Sequence, residues 1–292
     1  MTYRECYEKG CRTLQAAGIE DAALDARLLL EAVCGTNRND LLVHGEQPVA
    51  PEAEEKYLNW IRQRAEHIPL QQLTGEQDFM GLTFAVNEHV LIPRQDTEIL
   101  VEEVLKELHD GMRVLDMCTG SGCILLSLLH YSNDCEGLGV DLSAEALEVA
   151  GRNVLKVLTP EKAEHAQFLQ SDLFEKVEGK FEIIVSNPPY IASAEVEKLM
   201  PEVRDHEPRM ALDGTEDGLH FYRRIIEEAG KHLVSSGMLF FEIGYDQGQA
   251  VSELMRTEGY HEVQVVQDYA GLDRVVFGTY VTVQPAPFAK SR

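Results

Sequence analysis

Basic charge is what this chain has least of relative to its opposite. It sets 26 Lys and Arg against 50 Asp and Glu, a formal net charge of −24. Proteins that neutralise many phosphates carry a basic footprint, so this balance argues against nucleic acid as the main partner, although a local basic patch can hide in an acidic total. The six cysteines (6, 11, 34, 118, 123 and 135) form no Cys-x-x-Cys pair and no zinc-type spacing. That excludes an obvious metal site and suits reduced, mostly buried thiols. The amino terminus, Met1 to Cys6, lacks the apolar core of a signal peptide, and no apolar run approaches the ~18 residues of a membrane span. There is no internal repeat and no low-complexity tract. The expectation is a cytoplasmic protein with no membrane partner. Its 292 residues, 44% of them hydrophobic, suffice for one large or two ordinary domains with a sizeable core.

The pattern changes along the chain. The first part shows helical periods and little strand signal. Leu24, Leu28 and Leu29, with Val33 near by, fall on one face of a helix starting near Asp21, and Tyr57, Leu58 and Ile61 do the same after Pro51. Through Gly75 there are 8 basic and 12 acidic residues, so most of the negative charge lies beyond. Gly75, Gly81 and Asn87 then punctuate short extended pieces, which predicts a β-hairpin linker. A helix over 97–109 follows, with Asp96 as its N-cap and Glu98 in its first turn. From Arg113 strands are expected at 113–118, 137–141, 166–172, 181–187, 237–244, 262–268 and 274–281, and helices near 122–131, 143–157, 216–234 and 246–258. Such alternation implies a mostly parallel sheet covered on both faces. The short loop at Gly271-Leu272-Asp273 cannot hold a parallel crossover, so the last strand is expected to be antiparallel. The reading is therefore α/β: a Rossmann-like, seven-stranded fold with an antiparallel last strand. The domains expected are a small all-helical unit over 1–72, a hairpin linker over 73–93, a larger unit over 94–284 and a tail over 285–292.

Candidate site residues cluster at the predicted strand ends. Val114 to Gly122 reads as a strand running into a glycine-rich turn and a helix, with Asp116, Met117, Cys118, Thr119, Gly120 and Gly122 at the turn. A dinucleotide fingerprint would need a third glycine at position 125, which is Leu125. Asp116 suits a cationic amino-acid group better than a pyrophosphate. Asp141, followed by Leu142, ends the second strand, where a carboxylate can accept both hydroxyls of a ribose. Asp172 ends the third, where it can meet an adenine amine with Leu173 against the ring. Any one aspartate is more often a cap or loop residue. Three at successive strand ends, with Asn187 at a fourth, match the order of groups in S-adenosylmethionine, whose product after transfer is S-adenosylhomocysteine.

Asn187-Pro188-Pro189-Tyr190 follows the apolar run Phe181 to Ser186. Two prolines stop the strand, because neither can donate to a sheet ladder. The four residues resemble the Asn-Pro-Pro-Tyr signature of methyltransferases that act on a planar amide or amine nitrogen. Alongside them, Gln72-Leu-Thr-Gly75, Ile92-Pro-Arg94, Asp141-Leu-Ser-Ala144, Ser171-Asp172, Glu207-Pro-Arg-Met-Ala-Leu212 and Asp273-Arg274-Val275 extend the likeness over nearly the whole chain. The chain as a whole resembles the HemK/PrmC family, protein-glutamine methyltransferases that act on peptide chain release factors. That resemblance implies that the substrate glutamine lies in a Gly-Gly-Gln loop, and that Arg94, Asn187, Pro188, Pro189 and Tyr190 contact it. It implies also that the helical unit helps dock the factor.

The chemistry agrees. A glutamine nitrogen is a poor nucleophile because its lone pair is delocalised into the carbonyl, and no side chain can usefully deprotonate it first. A site can accept its two N–H hydrogens and hold it in line with the methyl–sulfur bond. The Asn187 side-chain carbonyl and the Pro188 backbone carbonyl are such acceptors, and the Tyr190 ring can cover the amide. Two departures stand out. The family commonly reads Ile-Pro-Arg-Pro-Glu-Thr-Glu where this chain has Gln95 and Asp96 in the middle, and Leu-Gly where it has Met117-Cys118, with Cys118 read as a packing residue. The segment 192–218 is expected to roof the site, with Arg209 touching substrate. Two other readings compete. A DNA or RNA amine methyltransferase would need a basic groove and a flipped base. A non-enzymic S-adenosylmethionine-binding module would have no need of an intact Asn187 to Tyr190.

Overall fold

The β-branched and aromatic runs of the second half become one sheet, and its strand ends place everything that follows. The structure, a computed structural model, describes residues 1–281. The expected tail over 285–292 and the last residues of the larger domain, 282–284, lie outside the described residues.

The chain divides into two compact units. The first comprises Met1–Glu76, Val86–Glu88 and Lys198–Glu207; the second comprises Gln77–Ala85, His89–Glu197 and Pro208 onward. In the first, α1 (Tyr3–Ala16), α2 (Ala22–Cys34), α3 (Arg38–Val43), α4 (Pro51–Ala65) and α5 (Leu70–Thr74) surround an apolar core of Leu14, Leu29, Leu30, Tyr57 and Ile61. Thr2 and Glu5 close a capping box on α1, satisfying two otherwise orphaned N–H groups. The buried face of α2 is not the leucine face expected from periodicity. Leu24 is exposed, and Ala22, Asp25, Ala26, Leu29 and Leu30 face inward. The reason is electrostatic. Arg64, itself buried, donates to Asp25 at 2.7 Å and to Glu202 at 3.2 Å, so Asp25 turns inward as a paired charge. Hydrophobic periodicity alone cannot register a buried ion pair.

The second unit opens with the hairpin β1 (Glu76–Phe79) and β2 (Leu82–Ala85). Phe79 and Phe84 pack edge-to-face into the core beside the sheet, and residues 77–85 count with this unit. Next come α6 (Asp96–Glu107), β3 (Arg113–Met117), α7 (Cys123–Tyr131), β4 (Glu136–Asp141), α8 (Ala144–Val157), α9 (Pro160–Ala163), β5 (Ala166–Gln170) and β6 (Phe181–Ser186). Three single-turn helices follow: α10 (Ser193–Val196), α11 (Pro201–Arg204), which falls in the first unit, and α12 (Arg209–Leu212). The chain ends its described course with α13 (His220–Ala229), β7 (Leu233–Glu242), α14 (Gly248–Thr257), β8 (Tyr260–Gln267) and β9 (Asp273–Tyr280). Among the described residues the sheet order is β5-β4-β3-β6-β7-β9-β8. Strands β3 to β7 pair in parallel, and β9 runs antiparallel between β7 and β8. This is the Rossmann-like arrangement with a reversed last strand.

Two boundaries moved. The expected helix over 216–234 is shorter, because Leu233 already belongs to β7, where Val234 and Leu233 continue an apolar pattern that either structure could use. Asp96 is the first residue of α6, not its cap. Gln95 occupies that place, and the Asp96 carboxylate stands 3.4 Å from Arg274.

Candidate functional site

Parallel strands end on one edge of the sheet, so the residues following β3, β4, β5 and β6 meet there. They line a cavity of about 220 Å³ that lies entirely within the second unit. Met117, Cys118, Thr119, Gly120, Asp141, Leu142, Asp172, Leu173, Asn187, Pro189 and Arg94 are all on its wall. Asp116, Gly122, Pro188 and Tyr190 are not.

The glycine-rich turn owes its shape to three positive φ angles, 63° at Cys118, 55° at Gly120 and 77° at Gly122. At Gly122 a side chain would meet both strain and matter, since a Cβ there would come 3.2 Å from Ala150 Cβ and 3.2 Å from Leu126 Cδ1. Cys118 adopts the left-handed conformation that the expected glycine would have taken freely. Its thiol is pushed up by burial and by the neighbouring carboxylates, so it is held as an unreactive thiol. The turn is fastened from both sides. Gly120 N–H donates to Asp141 Oδ2 at 2.8 Å, and the fully buried Asn153 donates to the Ser121 carbonyl at 2.9 Å while pairing with the Ala85 backbone in both directions.

Asp141 is on the wall with both oxygens engaged from below, Oδ2 by Gly120 and Oδ1 by Ser143 N–H at 3.0 Å. Each oxygen keeps a lone pair for a ligand hydroxyl. Burial nevertheless raises its carboxyl above the ordinary value. Asp116 differs from the expectation that it would meet a ligand directly. It has no exposed surface and reaches the cavity only through Thr119, whose hydroxyl donates to its Oδ2 at 2.6 Å, with Leu125 N–H adding a bond at 3.3 Å. Its Oδ1 is buried with no partner. Burial pushes this carboxyl up to about 7 against the pull of the two hydrogen bonds, and Asp141 adds repulsion. Asp172 lines the cavity but already faces Arg224 at 3.0 Å.

The turn after β6 is held from behind. Gln247 donates to the Tyr190 carbonyl at 3.0 Å, and Gly218 lies so close that a Cβ there would come 2.3 Å from the same oxygen. Asn187 donates from Nδ2 to Thr97 Oγ1 at 3.5 Å. The Tyr190 hydroxyl is turned to Glu242, donating to Oε1 at 3.3 Å. Pro208, Met210, Ala211 and Asp213 form part of the cavity wall, whereas Arg209 is exposed and paired with Glu197 at 2.6 Å and Asp213 at 3.3 Å. Arg209 is therefore engaged by its neighbours at the surface and is not part of the cavity wall.

Asn153 and Glu242 were absent from the residues read out of the sequence, and Thr97 entered only as a matching member of the Ile92 to Glu98 segment, with no role at the site. A lone glutamate inside the otherwise apolar run Met238 to Ile243 was the available signal, since an unpaired charge is seldom buried. Asn153 carries no such mark in a helix.

Comparison with known proteins identifies the family of the chain. A family model described as PrmC N-terminal domain matches residues 5–75, and one described as methyltransferase small domain matches residues 94–203. The chain is 41% identical over 271 residues to a release factor glutamine methyltransferase of Agrobacterium fabrum, covering 91% of this chain and 93% of that one. It is 44% identical over 278 residues to a protein of the same description from Moorella thermoacetica, covering 94% and 97%. A solved methyltransferase from Pyrococcus furiosus shares the fold, with a TM-score of 0.50, 18% identity and coverage of 70% of this chain and 91% of that one.

Proposed function

The chain belongs to the release factor glutamine methyltransferases, and from that membership we propose how its own residues carry out the reaction. It is a protein-glutamine N-methyltransferase. The substrate reading is the side-chain amide of the glutamine in the Gly-Gly-Gln loop of peptide chain release factors. The observation that carries it is a single cavity in which Asp141 and the glycine turn lie with Asn187 and Pro189.

The methyl donor proposed is S-adenosylmethionine, and the residues present suit it. Asp141 offers free lone pairs for a ribose. The unpaired oxygen of Asp116 supplies negative potential beneath the turn for a cationic amino group, and Leu173 is an apolar neighbour for a ring. When bound, this donor supplies an electrophilic methyl on a sulfonium. The remaining steps belong to the chain. Asn187 Oδ1, on the cavity wall, accepts one N–H hydrogen of the glutamine amide, and the carbonyl of Pro188, which is not on that wall, is the acceptor proposed for the other, the two fixing its nitrogen. Both acceptors are neutral dipoles whose negative ends face the nitrogen as it becomes positive. The Pro188-Pro189 turn loses little entropy in holding this geometry. Tyr190, anchored through its hydroxyl, bounds the turn rather than the cavity wall.

The helical unit is proposed as the part that docks the release factor. Among the described residues no helix is long and apolar enough to cross a membrane, and a substrate that works on ribosomes makes the reaction cytoplasmic. The net charge of −24 supports a protein partner over a nucleic acid. The test is incubation with methyl-labelled S-adenosylmethionine and, separately, release factor, its glutamine-to-alanine variant, DNA and rRNA. Label confined to the unmodified factor is expected. Label on DNA or rRNA, or equal label on both factors, would overturn the reading.

A further inference from the structure

Glu242 ends β7 with 2% of its surface exposed, and the transfer described above makes no use of it. It stands at the head of a chain of hydrogen bonds that leads to Asn187. The Tyr190 hydroxyl donates to its Oε1, and the hydroxyl of Thr97, also 2% exposed, hydrogen-bonds to the same carboxylate. Its Oε2 has no partner of regular geometry. Burial raises this carboxyl above its ordinary value, and the Thr97 hydrogen bond and the charge of Arg274, itself held by Asp268 at 3.0 Å, act against that and favour the ionised form. Thr97 Oγ1 in turn faces Asn187 Nδ2 at 3.5 Å.

Donor and acceptor counts give this chain a direction. A carboxylate only accepts, and a hydroxyl has a single proton to give. Thr97 directs its proton to Glu242, so only lone pairs remain for Asn187. Asn187 must then turn its NH₂ toward Thr97 and its oxygen away from it. The two ends of a carboxamide are nearly identical in shape, so packing alone does not choose between them. The choice decides what the cavity can hold. With Oδ1 presented, Asn187 accepts an N–H; with NH₂ presented, it would face that N–H donor to donor.

We propose that Glu242, acting through Thr97, is a positioning residue that fixes the orientation of the Asn187 carboxamide and thereby makes the site select an amide over a carboxylate. The proposal rests on the glutamine-transfer reading. It names a specificity determinant outside the Asn187 to Tyr190 turn, on two other elements, α6 and β7.

The test uses the full chain as wild type, Thr97→Val, Thr97→Ser and Glu242→Gln. Single-turnover methyl transfer to release factor is measured at saturating S-adenosylmethionine, together with donor affinity. Each protein is also challenged with a release factor whose Gly-Gly-Gln glutamine is replaced by glutamate, as a competitive inhibitor. Thr97→Val and Glu242→Gln are expected to slow transfer about tenfold or more, with donor affinity within about twofold. Thr97→Ser, which restores the hydroxyl, recovers most of that rate. In Thr97→Val the glutamate factor gains inhibitory strength relative to wild type, because the freed carboxamide can present NH₂ to a carboxylate. Equal losses in the Ser and Val variants with no gain for the glutamate factor would overturn the proposal, as would a Thr97→Val rate near wild type. Wild-type protein that labels no glutamine factor would instead overturn the functional reading, and this inference with it.

Discussion

Asp116 at the end of β3 and Glu242 at the end of β7 are the same device put to two uses. Both carboxylates are buried, with 0% and 2% exposure, and each has one oxygen without a regular partner. Burial raises both above the ordinary carboxyl value. Their surroundings separate them. Asp116 is bound by a backbone N–H and by Thr119, both parts of the glycine turn or the helix it starts, and the charged group acting on it is another acid, Asp141. Glu242 is bound by two side-chain hydroxyls that lie on separate elements, and Arg274 acts on it with the opposite sign. Asp116 therefore shapes a backbone turn, whereas Glu242 orients side chains. A buried acid is evidence of neither role by itself; the identity of its donors decides.

The largest effect expected from breaking this contrast lies at the residue Glu242 serves. Asn187→Ala removes the proposed acceptor of the amide N–H and is expected to lower transfer by about 10²–10³ while donor affinity stays close to wild type. Calorimetric donor binding beside single-turnover transfer checks it. Next in size is a crossed pattern. Asp116→Ala is expected to weaken S-adenosylmethionine binding by about tenfold, because the turn loses its anchor and the site its negative potential. Glu242→Gln is expected to cut the rate and spare the binding. Equal losses of binding in both variants would merge the two roles into one.

The smallest effect is on stability against pH. The Asp116 carboxyl titrates near 7 in the folded protein against an ordinary 3.8. A folded-state value raised in this way contributes stability that is present below 3.8 and is lost as the pH rises through about 7. Asp116→Asn lacks that loss, so its melting temperature relative to wild type is expected to rise across that window by a few °C. Melting curves at pH 4, 5, 6, 7 and 8 check the sign. A difference that stays flat would mean that the charge is accommodated without cost.

The same contrast explains what could be read from the chain alone. The sheet, its parallel order and its reversed last strand were legible, because apolar runs such as Phe181 to Ser186 and the short loop at Gly271 constrain topology locally. The glycine turn, Asp141 and Asn187 were legible because each ends a strand, and strand ends converge in this fold. Asp25 and the true face of α2 were not, since their reason is Arg64, 39 positions away. Glu242 stood out as a charge in an apolar run, but what it and Thr97 do was hidden for the same cause. Their partner is the Asn187 to Tyr190 turn, brought to them by the sheet, and nothing in their own neighbourhood announces it. Asp116 was recognised as important, but its place behind Thr119 depends on side-chain direction, which a strand pattern leaves open by half a turn.

The central claim is that this site methylates one glutamine nitrogen held by Asn187. It is tested most directly by tandem mass spectrometry of release factor incubated with S-adenosylmethionine and either wild-type protein or Asn187→Ala. The account predicts a single added methyl on the side-chain nitrogen of the Gly-Gly-Gln glutamine with wild type, and, at a time when wild type has gone to completion, only about a hundredth or less of that modification with the variant. A methyl on any other residue, or equal modification by the variant, would contradict it.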